Sequence, residues 1–243
     1  MVLMFGMDRI LFLLAAALIP PLVLMGVVYR MDRLDREPTS LLMGLFFRGV
    51  LCAVPVVILE SMGDHIAGMF SYWTTLYLFL TYFVVPGLIE EGMKYRVLRK
   101  KVWQNINFNF RFDGVVYAVF VSLGFAAVEN VLYVMDSGFG TAVVRALFSI
   151  PGHAMFGVVM GVYLGKARWL ESNRQFQQSQ AMRRRAVLVP LVLHGTYDFL
   201  LMAVNWAFYP YFFFLAFFVI RLLRRAARED GPTGPAGPWG TGF

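Results

Sequence analysis

Seven ionisable side chains stand where an otherwise apolar sequence should exclude them. Glu90-Glu91-Gly92-Met93-Lys94 closes one apolar stretch, and Glu129, beside Asn130, lies inside another. His153 interrupts a third stretch, and His194-Gly195-Thr196-Tyr197-Asp198 a fourth. A charge at mid-helix in a bilayer costs roughly 2.5–3.5 kcal/mol, so it normally faces a cavity or a partner. Imidazole and carboxylate together are what a catalytic zinc site needs: three protein ligands, an open position for water and a nearby carboxylate base. Without a metal, the same groups can activate water by general-base catalysis. Each set alone also has a plainer reading. Glu90 and Lys94 could be an ion pair at a helix end, His153 an interhelical hydrogen bond, and His194 with Asp198 a structural pair. Their conjunction on four stretches of one small chain, with two of its three histidines, points to a buried site.

Helical spacing says how these groups face. Residues four apart lie within about 40° of each other around a helix. Glu90 shares a face with Lys94, and His194 with Asp198; Pro86 and Pro190 stand one turn earlier on the two stripes. His153 heads a stripe of Gly157, Gly161 and Gly165, the small-residue pattern that lets helix backbones approach closely. Ala118, Ser122, Ala126 and Asn130 form a similar stripe beside Glu129. Other polar residues are expected to matter less: Glu60, Asp64 and His65 on a solvated outer loop, Arg48 as a structural or headgroup contact, Cys52 as filler.

The elements that must hold these groups follow from composition. Of 243 residues, 59% are apolar and 15% charged, against about 45–50% and about 25% for a soluble domain. Mean hydropathy is +0.63. A disordered protein, a disulfide scaffold and an ordinary soluble enzyme are thereby excluded, and a single cysteine rules out an internal disulfide or a thiolate-rich zinc site. Ile10–Tyr29, Ile66–Ile89, Ala146–Gly165 and Phe199–Ile220 contain no charge, and each is near the roughly 20 residues a spanning helix needs. Three more apolar stretches carry one charge each (Arg48, Glu129, Asp198), and the run from Ala186 to Ile220 divides at a turn near Asn205–Trp206.

The expectation is an all-α, polytopic membrane helix bundle of seven transmembrane helices, over 10–29, 40–59, 72–96, 114–135, 143–165, 186–204 and 207–223. Residues 1–225 form one domain, and 226–243 a disordered Gly/Pro-rich tail. The first span reads as uncleaved, since its apolar run passes Ala17 without a polar cleavage region. Lys and Arg concentrate in the first, third and fifth loops and after the last span, while the intervening loops hold at most Arg145. This bias sets the N-terminus outside and the C-terminus in the cytoplasm of a multi-pass cell-membrane protein. The net charge of +7 therefore concerns topology, and no nucleic-acid partner is expected.

At the polar residues the chain resembles the PrsW family of intramembrane proteases. The resemblance rests on Glu90-Glu91 with Lys94, Phe125 to Glu129, His153 on its own span and His194 to Asp198, in that order. Asp32-Arg33-Leu34-Asp35-Arg36-Glu37-Pro38 before the second span and Asp113-Gly114 opening the fourth add to it. Type II CAAX prenyl endopeptidases and bacteriocin-immunity proteases, distant relatives, carry Glu-Glu-x-x-x-Arg, Phe-x-x-x-His and His-x-x-x-Asn. Lys94, Glu129 and Asp198 depart from those patterns toward the PrsW branch, which weakens any inference of a prenylated substrate.

The resemblance implies an endopeptidase acting on a membrane-anchored protein, such as an anti-sigma factor, with Zn2+ the expected metal. Glu90 or Glu91 would be the general base; His194 and Glu129, with His153 as third group, would ligate the metal or orient water. Asp198 would orient His194 or help ligate, and Lys94 would hold a glutamate ionised. One difficulty is geometric. With span 3 starting at Tyr72, Glu90 lies about 27 Å along its axis, near the cytoplasmic surface, while Glu129 lies about 22 Å in from that surface. Tilt or a Pro86 kink must close the difference. The rival reading is a proton-coupled transporter or channel using Glu, His and Asp as a relay; it calls for a repeat, and the sequence contains none.

Overall fold

The computed structural model describes residues 2–234, with side chains from Met7 onward. The helices are α1 (Val2–Met31), α2 (Thr39–Gly68), α3 (Thr74–Phe79), α4 (Val85–Val102), α5 (Asp113–Ser137), α6 (Phe139–Leu147), α7 (Ser149–Ser172), α8 (Phe176–Ala203) and α9 (Asn205–Arg228). A π-helical stretch, Leu80–Val84, joins α3 to α4. Taken as continuous rods, they give seven helices long and apolar enough to cross a membrane, as expected. The chain is a multi-pass membrane protein. The division after Ala203 falls one residue before the expected Asn205–Trp206 turn.

The bundle is built around α5, in which every residue from Asp113 to Ala127 is buried; α1, α2, α4 and α7 pack on it. Small residues make this possible. A methyl group at Gly161 or Gly165 would meet the backbone of Gly114 or Arg111, and one at Gly157 would lie 3.1 Å from the Ser122 side chain. The expected glycine and alanine stripes are thus the α5–α7 contact. A second close approach, Gly49 against Val121 and Gly124 against Phe46, seats α2 on the other side of α5. Outward faces carry large exposed apolar residues such as Leu51, Val54, Phe213, Phe214 and Phe217, the surface a helix presents to lipid.

Two irregularities depart from straight spans. Pro86 supplies no N–H and crowds the carbonyl one turn earlier, and the π stretch lies directly before it. In the fifth span Pro151 has the same effect on the Leu147 carbonyl, while Phe148 O still accepts from the Gly152 N–H (2.9 Å); α6 ends and α7 begins at Phe148 (φ −122°, ψ −59°). The short α6 folds against α1 and α5.

The α1–α2 connection, the α4–α5 connection and the residues after α9 meet at one end of the bundle. Phe110 pairs with Pro232, the Arg111 N–H donates to Gly231 O (3.0 Å) and the Thr233 N–H to Asn109 O (2.6 Å). Helix α9 reaches Arg228, and residues 229–234 form a strap over the α4–α5 loop, so the described chain is ordered beyond residue 225. The rest of the Gly/Pro-rich tail, 235–243, lies outside the described residues.

Candidate active site

Four elements bring their polar residues to one point. Helix α4 contributes Glu90, Glu91 and Lys94, each at most 6% exposed. Lys94 Nζ lies 2.8 Å from Glu90 Oε2 and 2.9 Å from Glu91 Oε1, and 4.2 Å above the Phe125 ring. The same ammonium is 3.2 Å from His153 Nδ1. From α8, His194 Nδ1 is 3.0 Å from Glu91 Oε1 and 3.9 Å from Glu90 Oε2. Helix α4 reaches α8 this closely because Gly87 and Gly195 face each other, with Gly195 also against Phe83 of the π stretch. The glycine beside His194 is therefore a packing requirement.

Each imidazole is held from behind by a carboxylate. His153 Nε2 is 2.7 Å from Glu129 Oε2, and His194 Nε2 is 3.2 Å from Asp198 Oδ2, one helical turn away. The rings are also fixed by aromatic contact. His194 stacks on Phe156 with centroids 4.7 Å apart, and Phe125 meets the edge of His153 at 5.8 Å. Both Nδ1 atoms consequently point to the Glu90–Glu91–Lys94 cluster. Glu90, His153 and His194 each offer one ligand atom, all within 4.8 Å of one another. Glu129, expected with the two histidines as a ligand, lies outside that triad and on the far side of the His153 ring.

The depth difficulty closes through length. Helix α4 runs past 96 to Val102, which puts Glu90 about 18 Å from that end, while Glu129 is about 24 Å from Asp113 at the start of α5. Side-chain reach covers the rest.

Three further polar residues, which spacing alone does not assign to the site, also belong here. A cavity of about 510 Å³ opens on Glu90, Glu129, His153, His194 and Asp198, and its wall includes Glu60, Asp64 and Arg145. Glu60 and Asp64 had been expected on a solvated loop, but α2 continues to Gly68. A usable signal existed, since Glu60 continues the buried stripe of Cys52 and Val56 at spacing four. Arg145, from α6, lies 3.1 Å from Glu129 Oε2 and donates through Nε to Asn130 Oδ1 (2.9 Å). Asn130 in turn donates to Ala17 O of α1 (2.7 Å). No local spacing signalled Arg145, because the break at Phe148 directs it. His65 and Arg48 are exposed, and Cys52 is buried among apolar residues.

Residues 37–223 match the model of the PrsW family of intramembrane metalloproteases. The chain belongs to the PrsW family. It is 34% identical over 219 residues to Protease PrsW of Bacillus subtilis (strain 168), covering 88% of this chain and 95% of that one. It is 36% identical over 202 residues to Protease PrsW of Clostridioides difficile (strain 630), covering 81% and 82% respectively. The protein of the same name from Shouchella clausii (strain KSM-K16) is 31% identical over 226 residues. No solved structure matches the chain significantly. PrsW membership makes the chain a hydrolase acting on protein within the membrane, and among the described residues Glu90, His153 and His194 form a group that could hold a metal ion.

Proposed function

We propose that this PrsW-family chain is a zinc endopeptidase cleaving a membrane-anchored protein, with an anti-sigma factor as the substrate class. The observation that carries the reading is the meeting of Glu90, His153 and His194 within 4.8 Å at the wall of a cavity large enough for an unwound peptide segment. Two imidazoles and one carboxylate are a three-ligand set that suits zinc with an open position. Charge agrees: Glu90, Glu91, Glu129 and Asp198 carry four negative charges against the two positive charges of Lys94 and Arg145, leaving room for a dication. Bound there, the ion would lower the pKa of a water toward 7 and polarise a carbonyl.

The chain's own groups supply the rest. Asp198 and Glu129 fix the two rings through Nε2, as carboxylates behind ligating histidines do. Glu129 uses Oε2 for both His153 and Arg145, so it holds the ring and the arginine in place. Glu91 contacts Lys94 and His194 through Oε1, and its Oε2 has no partner among the described residues; that oxygen would take the proton of the attacking water and return it to the leaving amine nitrogen as the C–N bond breaks. The basic loops converge at the end where the strap lies, which supports a cytoplasmic location for that end.

A second reading has its own support. The Lys94 ammonium already sits against Glu90, Glu91 and His153 Nδ1, an arrangement suited to direct general-base catalysis in which Glu90 takes the proton without a metal.

The deciding experiment is metal analysis of the purified protein together with cleavage of single-span substrates by wild type, Glu90→Gln, Glu91→Gln and Glu129→Gln. The zinc reading expects about one zinc per chain, its loss in Glu90→Gln, and a roughly 10²–10⁴-fold slower Glu91→Gln that keeps its metal. Full activity after exhaustive chelation would leave the second reading. Undiminished cleavage by all three variants would remove both.

A further inference from the structure

The catalytic reading leaves unused a concentration of positive charge toward the end where the connections and the strap meet. A cavity of about 410 Å³ lies between the C-terminal half of α4 and the N-terminal half of α8, and a second of about 620 Å³ adjoins it along α4; the two share Tyr95 and Arg99. Six cations line them, Arg96, Arg99, Lys100 and Lys101 from α4 and Arg183 and Arg184 from α8, and no acidic side chain lines either. Among the described residues, Arg183 alone of the six has a carboxylate within 4.0 Å. That partner, Glu171, is already shared. Its Oε2, 3.4 Å from Arg183 Nη1, is reached by the Ser179 hydroxyl (3.3 Å), and its Oε1 accepts from Trp103 Nε1 (3.2 Å). Five cations are left without a counter-charge.

Topology alone does not require this arrangement. Positive charge that orients a membrane protein can stand anywhere in a flanking loop, whereas these six stand on two helices and close on one place. Arg96, Arg99 and Lys100, at spacings of three and four, share a face of α4. Arg183 is held in position, its guanidinium 5.0 Å from the ring centroid of the buried Trp103. Like charges gathered around one cavity repel each other, and an anion placed among them removes that cost. Guanidinium groups match a phosphate with paired N–H donors. What favours a lipid over a free phosphate is the surface below the charges. Arg184, Leu188 and Val192 follow one another at spacing four on α8, and Leu188 and Val192 are 56% and 50% exposed. A charged head and an outward apolar track thus share one face, running from the helix end into the span. Basic pockets between helices at a membrane surface are where anionic headgroups bind.

The geometry points to a binding site for an anionic phospholipid: Arg99, Arg183 and Arg184 hold its phosphate, and its acyl chains lie along Leu188 and Val192. The second cavity extends the positive surface to the rest of the headgroup. Arg99 lies about 12 Å beyond Glu91 along α4, and Arg184 about 15 Å before His194 along α8. The lipid therefore bridges the two helices that carry the catalytic cluster and braces one against the other.

The test is thermal unfolding of the full-length protein in a neutral detergent, with phosphatidylglycerol, phosphatidylcholine or glycerol phosphate added in turn. Phosphatidylglycerol should raise Tm by about 5–10 °C at 100 times its Kd, and the other two by less than about 2 °C. Arg99→Gln combined with Arg184→Gln, which breaks none of the ion pairs, should melt no lower than wild type in detergent alone and lose the rise. Arg221→Gln combined with Arg224→Gln, which removes two charges from α9 at the same end, should keep it. Native mass spectrometry of the wild-type protein reads binding directly should a variant fail to fold; phosphatidylglycerol should be retained in preference to phosphatidylcholine. The proposal is overturned if phosphatidylcholine or glycerol phosphate raises Tm as far as phosphatidylglycerol does, if the Arg99 and Arg184 variant keeps the rise, if the α9 variant loses it equally, or if the wild type retains neither lipid preferentially.

Discussion

Lys94→Met is the sharpest test of how the site is held together. The wild-type ammonium is fully buried and lies 2.8 Å and 2.9 Å from two carboxylates, each attraction worth about 6 kcal/mol at an effective dielectric constant of 20. Desolvation of three charges offsets much of this. What survives when one partner is removed is about 3–5 kcal/mol, because uncompensated charge stays buried. For a chain of this size that corresponds to a fall in Tm of about 6–20 °C. The assay is tryptophan-monitored unfolding in detergent of wild type, Lys94→Met, Glu91→Gln and the double variant. Removing the Glu91 charge relieves the stranded acid, so the double variant should melt above Lys94→Met, with a coupling of about 1–3 kcal/mol. A Lys94→Met protein melting within about 2 °C of wild type, or strictly additive effects, would refute the argument that Lys94 compensates the glutamate pair.

Gly195→Ala should lower stability by about 1–3 kcal/mol and cleavage more steeply, since the methyl meets Phe83 and separates Glu91 from His194. Gly92→Ala, with nothing within 4 Å of the new methyl, should match wild type in both unfolding and cleavage. Stability should fall as pH rises from about 4 to about 7 through Asp32 and Glu37, both buried in the α1–α2 connection. The folded pKa values of Asp32 and Glu37 lie above their unfolded ones, so the folded state holds protons that the unfolded chain has released. Melting curves across that range should flatten in Asp32→Asn; an unchanged slope would detach the effect from these two groups.

Much of this was legible in the sequence because the membrane makes polarity informative. The seven spans, the pairs Glu90–Lys94 and His194–Asp198, and the glycine stripe on α7 all follow from helical spacing in an apolar background. Glu60 was misread for a local reason: Glu60, Asp64 and His65 end an apolar run, which looks like a loop, yet α2 continues with one side toward the cavity. Arg145 reaches Glu129 from the short α6, and Glu90 rather than Glu129 joins the two histidines because α4 packs closely on α8; both are tertiary events that spacing cannot encode. The strap at 229–234 was hidden by its composition. Glycine and proline suggest disorder, but here the hydrogen bonds come from the facing loop.

The two helix irregularities carry a consequence for what can be cut. A peptide bond inside a helix is inaccessible, and unwinding it in hydrocarbon strands polar backbone at several kcal/mol per group. Thr81 and Tyr82 of the π stretch and Phe148 and Ser149 at the α6–α7 break border the same cavity. Pro86 removes the usual donor of the Tyr82 carbonyl, and Tyr82 lines that cavity. On the proposed function, that wall is where a substrate strand would find a backbone acceptor beside Glu90 and His153. Helix-destabilising residues near the scissile bond, more than any side-chain signature, would then decide which membrane segments are cleaved.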